Sequence, residues 1–483
     1  MIAQKNNRMS LQMKRCFSVL FILLTLFSVY AHPQTEKLSV AMDIAKGDII
    51  NLNPYTASDS TSVVILDNLY DGLFAYDAQT GRPVPSLAES YSVSEDGLSW
   101  TFHLRTAYFS DHSPITSESF KESWNYLIQG PLASNLDFLS SVETPDSSTL
   151  TVNLKHPVSY LPSLLCQPCL AAVKPTDSSL FSGAYRVVFR DESRIKLKKN
   201  NHYWDSVGCP EVVIHIGTET DFSSDFLSGS IHWSLAPVEN ASQYMEVSPL
   251  YGTTFLYFSS SDGIYSDNDM QSALAQLVPV DYIRIIQSSI IPSDSLVPQS
   301  GAYAEYEKQA SNLFSTTFKR YNIRSAADLP VLHIAVHRGD STILTGQLIQ
   351  EIWSETLKGT VSLDTVPSTV YTTDPAENPY DFCIITWIAD YYDPAAFLSL
   401  FRSDASYSLA NYSNTEYDHL LDLADSLEDR QSYLLEAEKI LLNSGTVIPI
   451  STAVSTNFVR SDLIEGWYPN LLDIHPLKNI RFK

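Results

Sequence analysis

Residues 332–363 read LHIAVHRGDSTILTGQLIQEIWSETLKGTVSL, and this stretch decides the fold class. An alternating apolar pattern predicts a buried strand containing Leu332, Ile334 and Val336. Helical spacing follows over about 342–358 and stops at Gly359. The helix side chains expected to face the core are Leu344, Leu348, Ile352 and Trp353. A second strand begins at Val361. Strand, helix, strand is the unit that builds a parallel sheet covered by helices, so the sequence predicts an α/β fold.

Patterns on both sides of this stretch add further elements. A strand is predicted over 382–387, and amphipathic helices over 417–427 and 432–442. Earlier in the chain, Thr116 suits the N-cap of a helix that buries Phe120, Trp124 and Leu127. Two hairpins are also predicted, each with one buried apolar face. Their apolar residues are Tyr91, Val93, Leu98, Trp100, Phe102 and Leu104 in the first, and Tyr185, Val187, Phe189, Ile195 and Leu197 in the second.

The first 31 residues have the features of a secretory signal peptide. Four basic residues precede an uncharged, mostly apolar run from Phe17 to Val29, and the small residue Ala31 suits a signal peptidase. The run is too short to span a bilayer. Cys16 precedes the run, whereas a lipoprotein needs its cysteine after it. We therefore expect cleavage near Ala31 and a soluble protein in the periplasm or another extracytoplasmic space.

Charge and length limit the classes of protein that remain. Cleavage at Ala31 changes the net charge from -24 to -28, because it removes four of the 31 Lys and Arg residues and none of the 55 Asp and Glu residues. Nucleic acid is a poor partner for such an acidic surface. A mature chain of about 450 residues exceeds what one hydrophobic core usually serves, which predicts two or three lobes.

The cysteines fit an oxidising compartment without requiring one. Four remain after cleavage: Cys166, Cys169, Cys209 and Cys383. Cys166 and Cys169 have the spacing of a thioredoxin-type pair, but they lack the strand-to-helix context that activates such thiols. A structural disulfide and plain buried thiols both stay open. A zinc site would need a second pair of cysteines or histidines at similar spacing, so we expect neither a metal nor another cofactor.

Three segments taken together resemble a known family. The first runs from Gly72-Leu73-Phe74 through 85–91 and 97–105 to Trp124, the second covers 182–186 and 200–204, and the third is WIADYYDPAAFL at 387–398. In this order and spacing they are similar to the extracytoplasmic peptide-binding proteins of ABC importers, the oligopeptide and dipeptide receptor family. One departure is His112, where the family's first run usually has glycine.

The resemblance implies a two-lobed clamshell of the periplasmic-binding-protein type, with an extra small domain inserted in the first lobe and the ligand held between the lobes. It also implies a short peptide ligand, a membrane permease partner and a monomer. The implied division is a signal peptide over 1–31, lobe I over 32–63, the inserted domain over 64–178, the second part of lobe I over 179–250, lobe II over 251–455, and a return to lobe I over 456–483.

Within the third segment, Asp390 matches the family aspartate that receives the α-ammonium group of a bound peptide. A buried ammonium needs a fixed opposite charge, which gives this role a physical basis. Its neighbours Ile388, Ala389 and Tyr391 are further candidates, and Trp387 could line the pocket or belong to the core. We expect Asp393 to cap a helix that begins with Pro394. Ile384 stands where some members place a basic residue for the peptide carboxylate, so no carboxylate anchor is located.

Other classes of function remain open at this point. The sequence has no G-x-S-x-G elbow, no H-E-x-x-H pair and no glycine-rich phosphate loop, which argues against an enzyme. Acidic pairs for glycoside hydrolysis leave no spacing signal among 55 carboxylates. The same fold could bind a non-peptide solute. It could also serve an exported adhesin or chaperone.

Overall fold

The computed structural model describes residues 37–43, 50–57, 59–217, 222–286, 290–337, 340–366, 370–371, 377–403, 405, 408–426 and 430–483. The predicted signal peptide over 1–31 lies outside these residues. The strands are β1 Lys37–Asp43, β2 Phe74–Tyr76, β3 Pro83–Pro85, β4 Ala88–Val93, β5 Ser99–Leu104, β6 Leu139–Asp146, β7 Thr149–Leu154, β8 Tyr185–Arg190, β9 Arg194–Lys199, β10 Glu211–Gly217, β11 Trp233–Ser234, β12 Met245–Phe258, β13 Ile291–Pro292, β14 Leu332–His337, β15 Val361–Val366, β16 Phe382–Ile388, β17 Val447–Val459, β18 Ile464–Glu465 and β19 Arg481–Phe482. The helices are α1 Ser60–Leu69, α2 Ser117–Leu127, α3 Leu161–Leu164, α4 Ser223–Ser228, α5 Asn268–Ala275, α6 Val280–Ile286, α7 Ala310–Arg320, α8 Asp340–Leu357, α9 Ala395–Leu398, α10 Thr415–Ser426 and α11 Gln431–Ser444.

One large mixed sheet organises the molecule. Its strand order is β15-β14-β16-β12-β17-β11-β1-β10-β9-β8, with β13 paired to β17. At one end β14 runs parallel to both β15 and β16, and in the other half β1 runs parallel to β10. Parallel strands need crossover connections, and α8 supplies the one between β14 and β15. The predicted α/β class is confirmed.

Two long antiparallel strands, β12 and β17, connect the two halves of this sheet. β17 pairs with β11 of the first half at Trp233↔Val459, while β12 pairs with β16 of the second half over Gly252 to Phe258. Their shared ladder is interrupted between Pro249 and Thr253. A break in a ladder bends the strand there, so the two halves meet at this irregularity. The predicted boundaries at 250/251 and 455/456 fall within these two strands.

A separate four-stranded sheet, ordered β4-β5-β7-β6, precedes β8 in the chain. Helix α2 packs on it through Phe120, Trp124 and Leu127, which are all buried as expected. Thr116 is the N-cap of this helix, and its backbone N–H donates to the Ser119 hydroxyl. The segment between β7 and β8 contains the short helix α3, which lies beside the loop that follows β16.

The predicted buried face of α8 is partly wrong. Leu344 is 41% exposed, whereas Ile349, Trp353 and Leu357 form the buried stripe. Gly346 explains the difference, because a Cβ there would lie 2.7 Å from side-chain atoms of Val336 and Leu363. The helix therefore approaches the sheet along the line of Gly346, Ile349 and Trp353, which turns Leu344 toward water.

Both predicted hairpins form, but three of their apolar residues are exposed. Tyr91 and Val93 are 43% and 42% exposed because β4 is an edge strand, although the Tyr91 ring still contacts the rings of Phe74, Trp100 and Phe102. In the second hairpin Phe189 is 41% exposed. The β8–β9 register shifts between Val187 and Phe189, and such a bulge moves the following side chain to the other face of the sheet.

The four cysteines in the described part of the chain are free, buried thiols: Cys166, Cys169, Cys209 and Cys383. Burial raises the pKa of Cys169 to about 12 and that of Cys166 well above its ordinary value. Thiols held protonated in this way are poor nucleophiles, which argues against a redox pair. In the described part of the chain, no helix combines the length and hydropathy needed to cross a membrane.

Candidate ligand-binding site

The third family-like segment begins at the carboxyl end of β16, beside the break in the central ladder. Ile388 is the last residue of β16 and lies opposite Gly252 of β12. The next backbone N–H, that of Ala389, donates to the Tyr251 carbonyl oxygen at 2.9 Å. Gly252 permits this close pairing, because a Cβ there would lie 2.9 Å from the Trp387 carbonyl oxygen. The chain then leaves the sheet with Asp390 at its edge, where ligands of open α/β sheets bind.

Asp390 combines access to water with a strongly perturbed acidity. Its side chain is exposed, yet protein surrounds it closely enough that desolvation raises its pKa to about 6. Within the described residues, the Asp390 carboxylate has neither a hydrogen bond nor an ion pair, and desolvation is the only cause of its shift. An unpaired carboxylate that is partly desolvated by the surrounding protein is suited to receive a cation from a ligand.

The neighbouring candidate residues lie in different environments. Ala389 is buried, and Ile388 is half-buried. Trp387 is also half-buried, and its indole Nε1 donates to the Ala396 carbonyl oxygen at 3.2 Å. This bond orients the Trp387 ring against helix α9, which favours the core alternative for that residue. Tyr391 is buried and takes part in a contact with a distant segment.

Asp393 has the structural role that the sequence predicts. Its Oδ1 accepts from the backbone N–H of Ala395 at 2.9 Å, which is the capping bond of α9 when Pro394 is counted as the first helical residue. Its other oxygen pairs with Arg430. Burial raises the pKa of Asp393, and Arg430 partly offsets that effect. This carboxylate is therefore already occupied, in contrast to Asp390.

The first half of the chain supplies the opposite wall. The Tyr76 hydroxyl lies 3.3 Å from the backbone oxygen of Asp390 and 3.1 Å from that of Ser163, so its proton is shared between two acceptors. Asp67 lies nearby, and burial raises its pKa to about 7. Between Asp67, Tyr76 and Cys166 is a cavity of about 20 Å³, which has room for a single water.

Three residues of this region were not found from the sequence: Tyr76, Tyr160 and Arg430. The Tyr160 ring stacks on Tyr391, with centroids 5.3 Å apart and planes 2° from parallel. The Arg430 guanidinium lies 4.9 Å from the centroid of the Tyr160 ring. No local pattern marks these residues, because each is defined by a partner far away in the chain.

The two halves of the mixed sheet are joined by the long strands β12 and β17, and an unpaired carboxylate lies near the junction. This is the arrangement of a two-lobed solute-binding protein. Residues 82–408 match the model of the "Bacterial extracellular solute-binding proteins, family 5 Middle". The chain therefore belongs to this extracellular solute-binding family, and the resemblance seen in the three segments is confirmed. It is 23% identical to the oligopeptide-binding protein OppA of Bacillus subtilis, over 87% of this chain and 88% of that protein.

Solved structures confirm the two-lobed fold. The chain superposes on the murein tripeptide binding protein MppA of Escherichia coli with a TM-score of 0.79 and 20% identity, covering 93% of this chain and 99% of that one. With an unliganded open form of an MppA murein tripeptide binding protein the TM-score is 0.65, again at 20% identity, over 92% and 98% of the two chains. Within this chain, the contacts of Tyr76 and Tyr160 with the Asp390 loop join its two halves.

Proposed function

We propose that this protein captures short peptides outside the cytoplasmic membrane and delivers them to the permease of an ABC importer. The observation that carries the proposal is Asp390, a carboxylate that has no partner among the described residues and lies where the two halves of the molecule meet. The α-ammonium group of a peptide supplies the missing positive charge. The family relationship and the names of the similar proteins support a peptide as the ligand.

In this proposal the remaining candidates shape the pocket around the amine. Ile388, Ala389 and Tyr391 carry the backbone and ring surfaces next to Asp390, while Trp387 fixes the base of the loop through its bond to Ala396. The chain acts as a monomer, without a cofactor, after signal cleavage near Ala31. Its domains follow the division predicted from the sequence, with lobe II between 251 and 455 and the last residues returning to lobe I.

The test starts with the ligands that the protein itself selects. The mature protein is purified without denaturation, then unfolded, and the released small molecules are identified by mass spectrometry. Recovery of short peptides supports the proposal. Recovery of a sugar, a bile acid or a metal chelate keeps the receptor fold and removes the peptide assignment. Turnover of a peptide or glycoside during incubation would indicate a hydrolase instead.

Calorimetry then tests the role of Asp390. Trialanine and its N-acetylated form are titrated into wild type and into Asp390→Asn, which keeps the shape of the side chain but removes its charge. Losing one partner of a buried charge pair commonly costs about 2–5 kcal/mol, so binding of trialanine should weaken at least tenfold in the variant. N-acetyltrialanine should bind weakly to both proteins. Equal affinity of wild type for both peptides would contradict the amine anchor.

A further inference from the structure

The loop that carries Asp390 is held by contacts from the first half of the molecule. Tyr76 contacts the backbone oxygen of Asp390, and Tyr160 stacks on the next residue, Tyr391. Tyr160 lies between β7 and α3, and both contacts join residues that are more than 200 positions apart in the chain. Two successive residues of the proposed amine site are thus fixed from the opposite half of the molecule.

Arg430 connects Tyr160 with acidic residues of the second half. Its Nη1 pairs with Asp393 and its Nη2 lies 3.8 Å from Asp425 Oδ1, while its guanidinium lies over the Tyr160 ring. The side chains of Arg430, Asp393 and Asp425 are each only 13% exposed. The Arg430 guanidinium therefore pairs with two carboxylates of its own half and contacts the Tyr160 ring of the other half.

The Tyr160 ring offsets part of the desolvation of the Arg430 guanidinium. Nε and Nη2 of Arg430 are buried without a hydrogen-bond acceptor among the described residues. The ion pairs and the electron-rich ring are therefore the groups that offset the desolvation of the guanidinium. Separating the halves would leave the ring of Tyr391 without its stacking partner and Arg430 without Tyr160. The closed arrangement thus gains free energy from contacts that an open one lacks.

We infer that Tyr160, Tyr391 and Arg430 form a latch that holds the two lobes closed and positions the Asp390 loop for ligand capture. Tyr160 and Arg430 are positioning residues in this scheme, since they act through Tyr391 and Asp393, which follow Asp390 in the chain. The inference rests on the proposed function for the identity of the ligand, but the closure it describes is measurable without any ligand.

The test compares Tyr160→Ala with two matched variants. Tyr160→Phe keeps the ring and should behave as wild type. Tyr126→Ala removes another aromatic residue, whose ring contacts that of Tyr55 in its own half, and should also behave as wild type. Thermal unfolding of each variant checks that the fold is intact. Two quantities are then measured: the dissociation rate of trialanine by stopped-flow fluorescence, and the radius of gyration of the ligand-free protein by small-angle scattering.

Loss of the stack should raise the dissociation rate of trialanine roughly fivefold or more, because aromatic and cation–π contacts each contribute about a factor of two to ten. The ligand-free Tyr160→Ala protein should also have a larger radius of gyration than wild type. An unchanged dissociation rate together with an unchanged radius overturns the latch. Equal effects of Tyr160→Phe and Tyr160→Ala would overturn it too, because the ring would then not be the active group.

Failure of the proposed function is separable from failure of the latch. Trialanine that binds to neither wild type nor any variant counts against the peptide assignment, and the scattering comparison alone then decides the latch. Tight binding of trialanine to wild type, with no difference for Tyr160→Ala in either measurement, leaves the receptor function in place and removes the latch.

Discussion

At the scale of single residues, the acidity of Asp390 sets a pH dependence for ligand binding. An ammonium group pairs with the ionised carboxylate, and the pKa of Asp390 is raised to about 6 by desolvation. With that pKa, the ionised fraction of the free protein falls from about 90% at pH 7 to about 10% at pH 5. The affinity for trialanine should therefore fall up to about tenfold over this range, as measured by calorimetry.

The control for this profile is the same titration of Asp390→Asn. Asp67 also titrates near the site, with a pKa of about 7, and its contribution persists in the variant. The difference between the two profiles therefore isolates Asp390. Identical slopes for wild type and variant would show that another group governs the pH dependence.

Gly183 belongs to the second family-like segment. Any larger residue there would clash with its neighbours, although the backbone conformation itself does not demand glycine. A Cβ at this position would lie 2.6 Å from the Leu69 carbonyl carbon and 2.7 Å from the Tyr70 nitrogen, both of which are backbone atoms at the end of α1. Gly183→Ala should therefore lower the free energy of unfolding by about 3 kcal/mol, at the upper end of overpacking effects. Urea unfolding measures this change.

Gly130→Ala is the matched control, because the nearest atom to its added Cβ is 3.4 Å away, an ordinary contact. Its free energy of unfolding should stay within about 0.5 kcal/mol of wild type. A Gly183→Ala protein as stable as Gly130→Ala would mean that α1 moves aside without cost.

At the scale of elements, a hydrogen bond of Glu438 connects helix α11 with the segment that follows β13. Its Oε1 accepts from the backbone N–H of Val297 at 2.8 Å, and the residue is only 1% exposed. Burial raises the pKa of Glu438 to about 7, although its hydrogen bonds to Ser300, Val297 and Leu296 act in the opposite direction. The side chain thus connects two elements while carrying a charge that its surroundings disfavour.

The sign of the resulting effect on stability follows from proton binding. Between the ordinary glutamate pKa of about 4.5 and the raised value, the folded protein keeps a proton that the unfolded chain releases, so stability falls as pH rises through this window. Glu438→Gln stays neutral and can still accept from Val297. Between pH 5 and 7.5 wild type should therefore lose about 2 kcal/mol relative to the variant.

Urea unfolding at several pH values measures this difference. Other titrating groups are common to both proteins and cancel in the comparison. A constant difference between wild type and Glu438→Gln across the window would show that Glu438 has an ordinary pKa in the folded protein. A large loss of stability in the variant at every pH would show that the carboxylate is needed for its hydrogen bonds.

At the scale of the whole molecule, the last residues of the chain pack against segments from much earlier in it. Leu477 and Ile480 are buried, and the backbone N–H of Gly208 donates to the Lys478 carbonyl oxygen at 2.7 Å. The Asn68 side chain accepts from the backbone N–H of Leu477 at 2.8 Å. These contacts connect the end of the chain with segments more than 260 positions earlier, in agreement with the proposed return to lobe I.

A chain that ends at His475 should therefore fold poorly. Burying two aliphatic side chains contributes about 3–6 kcal/mol, a large part of the stability of a typical domain. Near-ultraviolet circular dichroism and limited proteolysis measure the loss of packing. Removal of Lys483 alone is the control and should leave both signals unchanged. A truncated protein with wild-type packing would contradict the proposed return of the chain.

The sequence predicted much of the local structure because neighbouring residues carry it. The strand at 332–336, the helix after it and the N-cap at Thr116 follow from periodicity and capping within a few residues, and the structure has them. The same reasoning failed for Leu344, Phe189 and Tyr91. A glycine contact with another strand, a bulge and an edge position decide those three side chains, and none of these is visible as a local pattern.

For the candidate site, the sequence by itself predicted the family, which is confirmed, and pointed to Asp390 as the ligand-binding candidate, since three ordered segments carry the resemblance. The tertiary structure alone supplied the state of that carboxylate and the residues around it. The contact between Tyr76 and Asp390 spans 314 positions, and no spacing rule connects residues so far apart. The raised pKa of Asp390 and the stacking of Tyr160 on Tyr391 depend on which distant surfaces desolvate or touch a group, and only the folded chain defines those surfaces.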